Sequence, residues 1–106
     1  MIDTTPPGVV VSEIEPLNLL GFIRLLRVSG TAEVGSGPVT VHLCAAEPSC
    51  DAMSATQTFT NVAVGTNGTW VTGWSAQGQG TWYARATQTD PAGNVGTSEV
   101  RGPVTN

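Results

Sequence analysis

The 106-residue chain holds few side chains able to do chemistry, and their spacing limits what that chemistry is. It has a single histidine, His42, with Cys44 two residues on, the one pairing that suggests a base beside a thiol nucleophile. Cys44 and Cys50 enclose Ala45-Ala46-Glu47-Pro48-Ser49, and a Pro-Ser turn in so short a loop lets two Cα atoms reach disulfide distance. The expectation is a Cys44–Cys50 disulfide, which contributes about 2 kcal/mol in the chain-entropy model and implies an oxidising compartment. His42 is then an exposed residue beside a disulfide. Glu13 and Glu15 read as a solvated strand end, not as a glycosidase pair. No Gly-x-Ser-x-Gly elbow and no phosphate-cradling glycine loop occurs, so the expectation is that the chain is not an enzyme. One histidine and two cysteines are also too few for a zinc site.

Two further sets bear on binding. Trp70 and Trp74 are four apart and share a strand face with Thr72 between them. Trp82 shares a face with Ala84 and Ala86, small residues that leave room for a ring in a core. Trp70 and Trp82 are expected inside. Trp74, beside Gly73 and close to Gly78-Gln79-Gly80, is expected to be partly exposed. Trp74 with Tyr83 and Arg85 forms the candidate ligand-binding set; the plainer reading of Tyr83 and Arg85 is a solvated strand face. Asp3, Asp90 and Asn94 are the candidate metal ligands. Calcium takes about six to eight oxygens, so three are too few, and Asp90 and Asn94 more simply satisfy donors in their own turn.

The elements that position these residues follow from composition and alternation. Val outnumbers Leu by 13 to 6 and there are 15 Thr, a β-branched bias that favours strands. Net charge is −4 and there is no lysine, which argues against a nucleic-acid or anionic-membrane partner. The first seven residues, with an acid and two prolines, read as a linker and not as a signal peptide, leaving 8–106 as one domain. No segment is apolar for long enough to span a bilayer as a helix.

Val9 to Ile14 reads as a first strand, ended by Glu15-Pro16. Leu17 to Ile23 is densely apolar; a turn of helix over 17–22 is one reading, and the segment is either a plug over the open end of the domain or a contact for a neighbour, the plug being preferred. Leu26, Val28, Gly30 and Ala32 alternate with polar residues, as do Val39, Val41 and Leu43. Thr56 to Val64 is another β-rich run, and Asn67-Gly68 predicts a type I′ hairpin before a strand over Trp70 to Trp74. Asn67-Gly68-Thr69 also fits the N-glycosylation pattern, though a turn is the plainer reading. Trp82 to Ala86 alternates again, Asp90 to Asn94 is a turn, and Val95 to Val104 closes the chain. The expected fold is all-β, an antiparallel β-sandwich of about seven strands.

Asp3-Thr4-Thr5-Pro6-Pro7, Val28-Ser29-Gly30-Thr31-Ala32-Glu33, Asn67-Gly68-Thr69-Trp70, Gly80 to Ala86 and Asp90-Pro91-Ala92-Gly93-Asn94 together resemble bacterial Ig-like repeats. The resemblance spans nearly the whole chain. It implies an Ig-like sandwich of a large secreted, surface-anchored or phage virion protein, adhesins included. It also implies calcium at an interdomain joint as the cofactor to consider, with Asp3 of one domain meeting Asp90 and Asn94 of the next. A fibronectin type III module is a close rival, since Trp82-x-Ala84-x-Ala86 is similar to its Tyr-x-Val-x-Ala strand. The Leu17–Ile23 segment, the cysteine loop and Trp82, where the family has Tyr, depart from the pattern. The absence of lysine excludes the Lys–Asn isopeptide link of some surface domains; a Thr–Gln ester through Thr4 or Thr5 is not excluded. The expected function is an extracellular, non-catalytic spacer that presents or separates neighbouring domains of its chain. The alternative is a carbohydrate- or surface-binding module using Trp74, Tyr83 and Arg85, with glycans as partners.

Overall fold

The computed structural model describes residues 7–19, 23–45, 50, 55–77 and 80–105. Every regular element among them is a strand: β1 Val10–Leu19, β2 Ile23–Thr31, β3 Val39–Ala45, β4 Gln57–Val62, β5 Thr69–Val71, β6 Ser75–Ala76, β7 Thr81–Thr89, β8 Val95–Thr97 and β9 Arg101–Thr105. All pairings are antiparallel. One sheet runs β1-β2-β5, with β6 continuing beside β2; the other runs β4-β3-β7-β8, with β9 continuing beside β7. Nine strands thus fill seven sheet positions, where about seven strands were expected.

The two extra strands have a common cause. Thr72 donates its N–H to the Val28 carbonyl at 2.8 Å, but Val28 N–H turns to the Thr72 hydroxyl at 3.0 Å. Ser98 repeats this on the other sheet. Its N–H donates to the Ala86 carbonyl at 2.8 Å and its Oγ accepts from Ala86 N–H at 2.9 Å. Each hydroxyl then donates to the carbonyl of the next residue, Gly73 or Glu99. A side chain standing in for a main-chain acceptor ends the ladder at that point. The expected Trp70–Trp74 strand is therefore cut at Thr72, and the Val95–Val104 run at Ser98.

The core lies between the sheets. Leu26 and Val28 of β2, Val39, Val41 and Leu43 of β3, and Trp82, Ala84 and Ala86 of β7 are buried in the alternating pattern read from the sequence. Val11, Ile14 and Trp70 complete it from β1 and β5. The β7 alternation continues one step further than expected. Fully buried Gln88 accepts from Glu33 N–H at 3.1 Å and donates to the carbonyls of Glu33 and Gly37 at 2.9 and 2.8 Å. It ties the β2–β3 connection to the end of β7.

Several expectations are corrected. β1 does not stop at Glu15-Pro16; it runs to Leu19, with Pro16 opposite Leu26. β1 is an edge strand, where a residue lacking an N–H is tolerated. Residues 17–19 are strand, not helix, and pair back onto 23–25; residues 20–22, where the rest of that helical reading falls, lie outside the described residues. Glu15 is no strand end: it sits mid-strand across from Arg27. The Asn67-Gly68 turn is not type I′, because only Gly68 takes positive φ (80°). Gly68 N–H closes on the Gly65 carbonyl at 3.0 Å, and the turn carries the chain from one sheet to the other. Pro7, placed in the linker by the sequence, is buried with its carbonyl against Gly96 at a spot that a Cβ would fill.

Candidate functional site

The reactive residues fall in three separate places. On the outer face of the β4-β3-β7 sheet, Cys44 and Cys50 form the expected disulfide, with Cα atoms 5.4 Å apart and both residues fully buried. No thiolate is then left to act beside His42. His42 is not the exposed residue anticipated: it is 8% exposed. Its strand position lies between Thr58 of β4 and Arg85 of β7, and its Nδ1 is 3.3 Å from Thr58 Oγ1.

Tyr83 and Arg85 share this face and are half-buried. Tyr83 stands opposite Cys44 and against Gly102, where a Cβ would come within 2.8 Å of Tyr83 Cδ1. Arg85 donates from Nε to the Ser98 carbonyl at 3.2 Å. Both are thus engaged by their own sheet and its continuation β9.

Trp74 is on the other sheet. It follows the break at Thr72 and is 41% exposed, as anticipated, whereas Trp70 and Trp82 are each 3% exposed. Trp74 does not share the buried face of Trp70. Its ring packs on Arg27, whose Cζ lies 4.4 Å from the ring centroid, and Arg27 Nη2 donates to both carboxylate oxygens of Glu15 at 2.9 Å. Arg27 Nε is buried without a hydrogen-bond partner. The sequence marked Glu15 and Trp74 singly and did not single out Arg27; the β1–β2 register sets Arg27 across from Glu15, and the ring contact brings Trp74 onto Arg27. Because Arg27 lies outside one sheet and Tyr83 and Arg85 outside the other, Trp74, Tyr83 and Arg85 do not form one surface.

The third place is the Asp90–Asn94 turn. Asp90 is buried; its Oδ1 accepts from Asn94 N–H at 2.8 Å and its Oδ2 from Asn94 Nδ2 at 3.1 Å. Gly93 N–H closes on the Asp90 carbonyl at 3.0 Å. The turn uses Asp90 and Asn94 on each other, the plainer of the two readings. Asp3, the third candidate ligand, lies outside the described residues, as do Thr4 and Thr5. No group of three or more His, Cys, Asp or Glu that could hold a metal occurs among the described residues. Nor is any helix among them long and apolar enough to cross a membrane.

Comparisons with protein-family models, curated proteins and solved structures give no match for this chain.

Proposed function

We infer that the chain is a non-catalytic, Ig-like structural module that separates or presents other domains in an extracellular, cell-surface or virion protein. The observation that carries this is where the chain enters and leaves. Pro7 packs on Gly96, which pairs with Gln88, whereas Thr105 pairs with Thr81. Those two points of β7 are seven residues apart, about 23 Å at the usual strand rise. A domain whose ends are so placed spaces its neighbours along a line.

The strand order supports the Ig-like reading. Three positions face four, and the fourth strand lies beside the third, where a variable-type domain places its added strand and a constant-type domain does not. The disulfide joins Cys44 of β3 to Cys50 six residues on, so it does not link the two sheets. A disulfide in so small a domain is compatible with an oxidising compartment.

Binding of the chain to a broad glycan and polysaccharide panel at millimolar ligand, with Trp74→Ala alongside, tests the reading. No saturable binding by either protein is expected. Saturable binding that Trp74→Ala abolishes would replace the spacer with the recognition module.

A further inference from the structure

The two ends of the chain are held by strands that lie along the line joining them. Gln88, near the end of β7, exchanges hydrogen bonds with Glu33, just past the end of β2, so β2 and β7 finish together at the end where Pro7 packs on Gly96. β1 starts at that end, with Val10 opposite Thr31, and runs away from it. β9 finishes at the other end, with Thr105 opposite Thr81. The cross-strand bonds of an antiparallel pair stand perpendicular to the strands. A pull on the two chain ends therefore acts along β1 and β9, and either strand slides free only if all its bonds break together.

The two holds are unequal. On β2, the carbonyls of Arg24, Leu26 and Val28 accept from Gln77, Ser75 and Thr72, on the far side from β1. Alternation therefore turns the main-chain groups of Leu25, Arg27 and Ser29 toward β1, opposite Leu17, Glu15 and Glu13. Pro16 falls between these positions, so its missing N–H faces solvent and costs the ladder no bond. The Arg27–Glu15 ion pair ties the same two strands, and β1 also buries Val11 and Ile14 in the core.

β9 is held by far less. On β7, Ala86 faces Ser98, so alternation leaves Trp82 and Ala84 to meet β9, opposite Val104 and Arg101 and with a register shift between them. Arg101, Gly102, Pro103 and Thr105 are exposed, and Val104 alone is half-buried and packs against the core. Inward of β9 the hold strengthens again. Ser98 is buried, bonds Ala86 through both its N–H and its hydroxyl, and its carbonyl accepts from Arg85 Nε at 3.2 Å. Bonds shielded from water in this way are the stronger ones.

We propose that β9 is a tension-released strand: pulled through its ends, the chain lets β9 slide off β7 first, while β1 to β8 stay folded behind Ser98. This rests on the reading of the chain as a module with neighbours on either side. Residues 99–105, seven in all, extend to about 24 Å. They already cover the rise from Ala86 to Thr81 on β7, about 17 Å, so release gives about 7 Å of slack. The joint after the module lengthens without opening the core, and the β7 edge at Trp82 and Ala84 is bared until tension falls.

Single-molecule stretching of the chain by handles at its two ends tests it, beside a second preparation with the far handle moved to the exposed position 99 through Glu99→Cys. End-to-end stretching gives a first lengthening of about 7 Å at low force, then unfolding of the rest. With the handle at 99, β9 carries no tension, so the first step disappears and the second is unchanged. Val104→Ala lowers the force of the first step, and Arg27→Gln leaves it as it was. A single step in which the whole chain unfolds would overturn the proposal. So would a first step that survives the moved handle or weakens in Arg27→Gln, since β1 would then be the strand that yields. Glycan binding lost in Trp74→Ala would overturn the spacer reading and leave both steps in place, so the two failures are distinguishable.

Discussion

Gly30 and Trp70 face each other across the β2–β5 ladder, and the indole occupies the space a side chain at Gly30 would need. A Cβ there would lie 2.6 Å from Trp70 Cζ2 and would collide with the Val10 carbonyl of β1. The ring is held in that position by its Nε1–H, which donates to the Thr31 carbonyl at 3.0 Å. A small residue on the central strand thus lets one tryptophan cross the sheet and reach the core.

Gly30→Ala is accordingly expected to destabilise the chain by about 3 kcal/mol, the upper part of the range for overpacking. In a Trp70→Leu background the same change costs less, by about 1 kcal/mol, because only the Val10 clash remains. Urea unfolding of the four proteins measures both quantities. Additive effects within error would mean that ring and glycine are not coupled.

Thr72 and Ser98 lead to a second expectation. Thr72→Val and Ser98→Ala each leave one buried main-chain N–H, of Val28 or Ala86, without its acceptor. Each costs about 2 kcal/mol by the usual penalty for an orphaned donor, and Thr72→Ser restores most of the loss at its site. Unfolding midpoints and amide exchange at Val28 and Ala86 report it. Unchanged exchange at those two amides in the variants would mean that the hydroxyls are not their acceptors.

Gln88 differs from both because its partners, Glu33 and Gly37, lie in the connection between β2 and β3 and not in a strand. Gln88→Leu keeps the volume but strands Glu33 N–H and two carbonyls, a loss of about 3 kcal/mol. Hydrogen exchange at Glu33 speeds up before that of β7 does, since the connection is freed while the strand ladder stays. Uniform acceleration over the whole chain would show that Gln88 is merely part of the global core.

What was legible in the sequence, and what was not, divides along physical lines. Leu26/Val28, Val39/Val41/Leu43 and Trp82/Ala84/Ala86 announced themselves by alternation, because β2 and β7 bury one face and the inner face of β3 reads as apolar against polar; that β3 also buries His42 and Cys44 on its outer face was not legible. The six-residue cysteine spacing was enough for the disulfide. Strand breaks at Thr72 and Ser98 were not legible, because a hydroxyl that replaces a carbonyl looks like any strand residue until its partner is known. The Asn67-Gly68 turn type was misread because type I′ suits neighbouring strands of one sheet, and β4 and β5 belong to different sheets. Alternation says that Trp74 and Tyr83 each point outward; it does not say out of which sheet. That is why Trp74, Tyr83 and Arg85 were grouped from the sequence and lie apart in the fold.

The three tryptophans offer a direct optical test of that arrangement. Trp74 is 41% exposed and stacks on Arg27, while Trp70 and Trp82 are 3% exposed. A collisional quencher should therefore reach one fluorophore in three, and Trp74→Phe should remove the quenchable, red-shifted component and leave a blue-shifted, protected emission. The stability change is small, within about 1 kcal/mol, because an exposed cation–π contact contributes only that much and the Glu15–Arg27 pair beneath it is partly solvated. Iodide discriminates further: beside the Arg27 guanidinium it should quench Trp74 better than caesium does, and Arg27→Gln should narrow that difference. Equal quenching by the two ions in the unmutated chain would place Trp74 away from Arg27 and remove the Glu15–Arg27–Trp74 cluster from this face of the sheet.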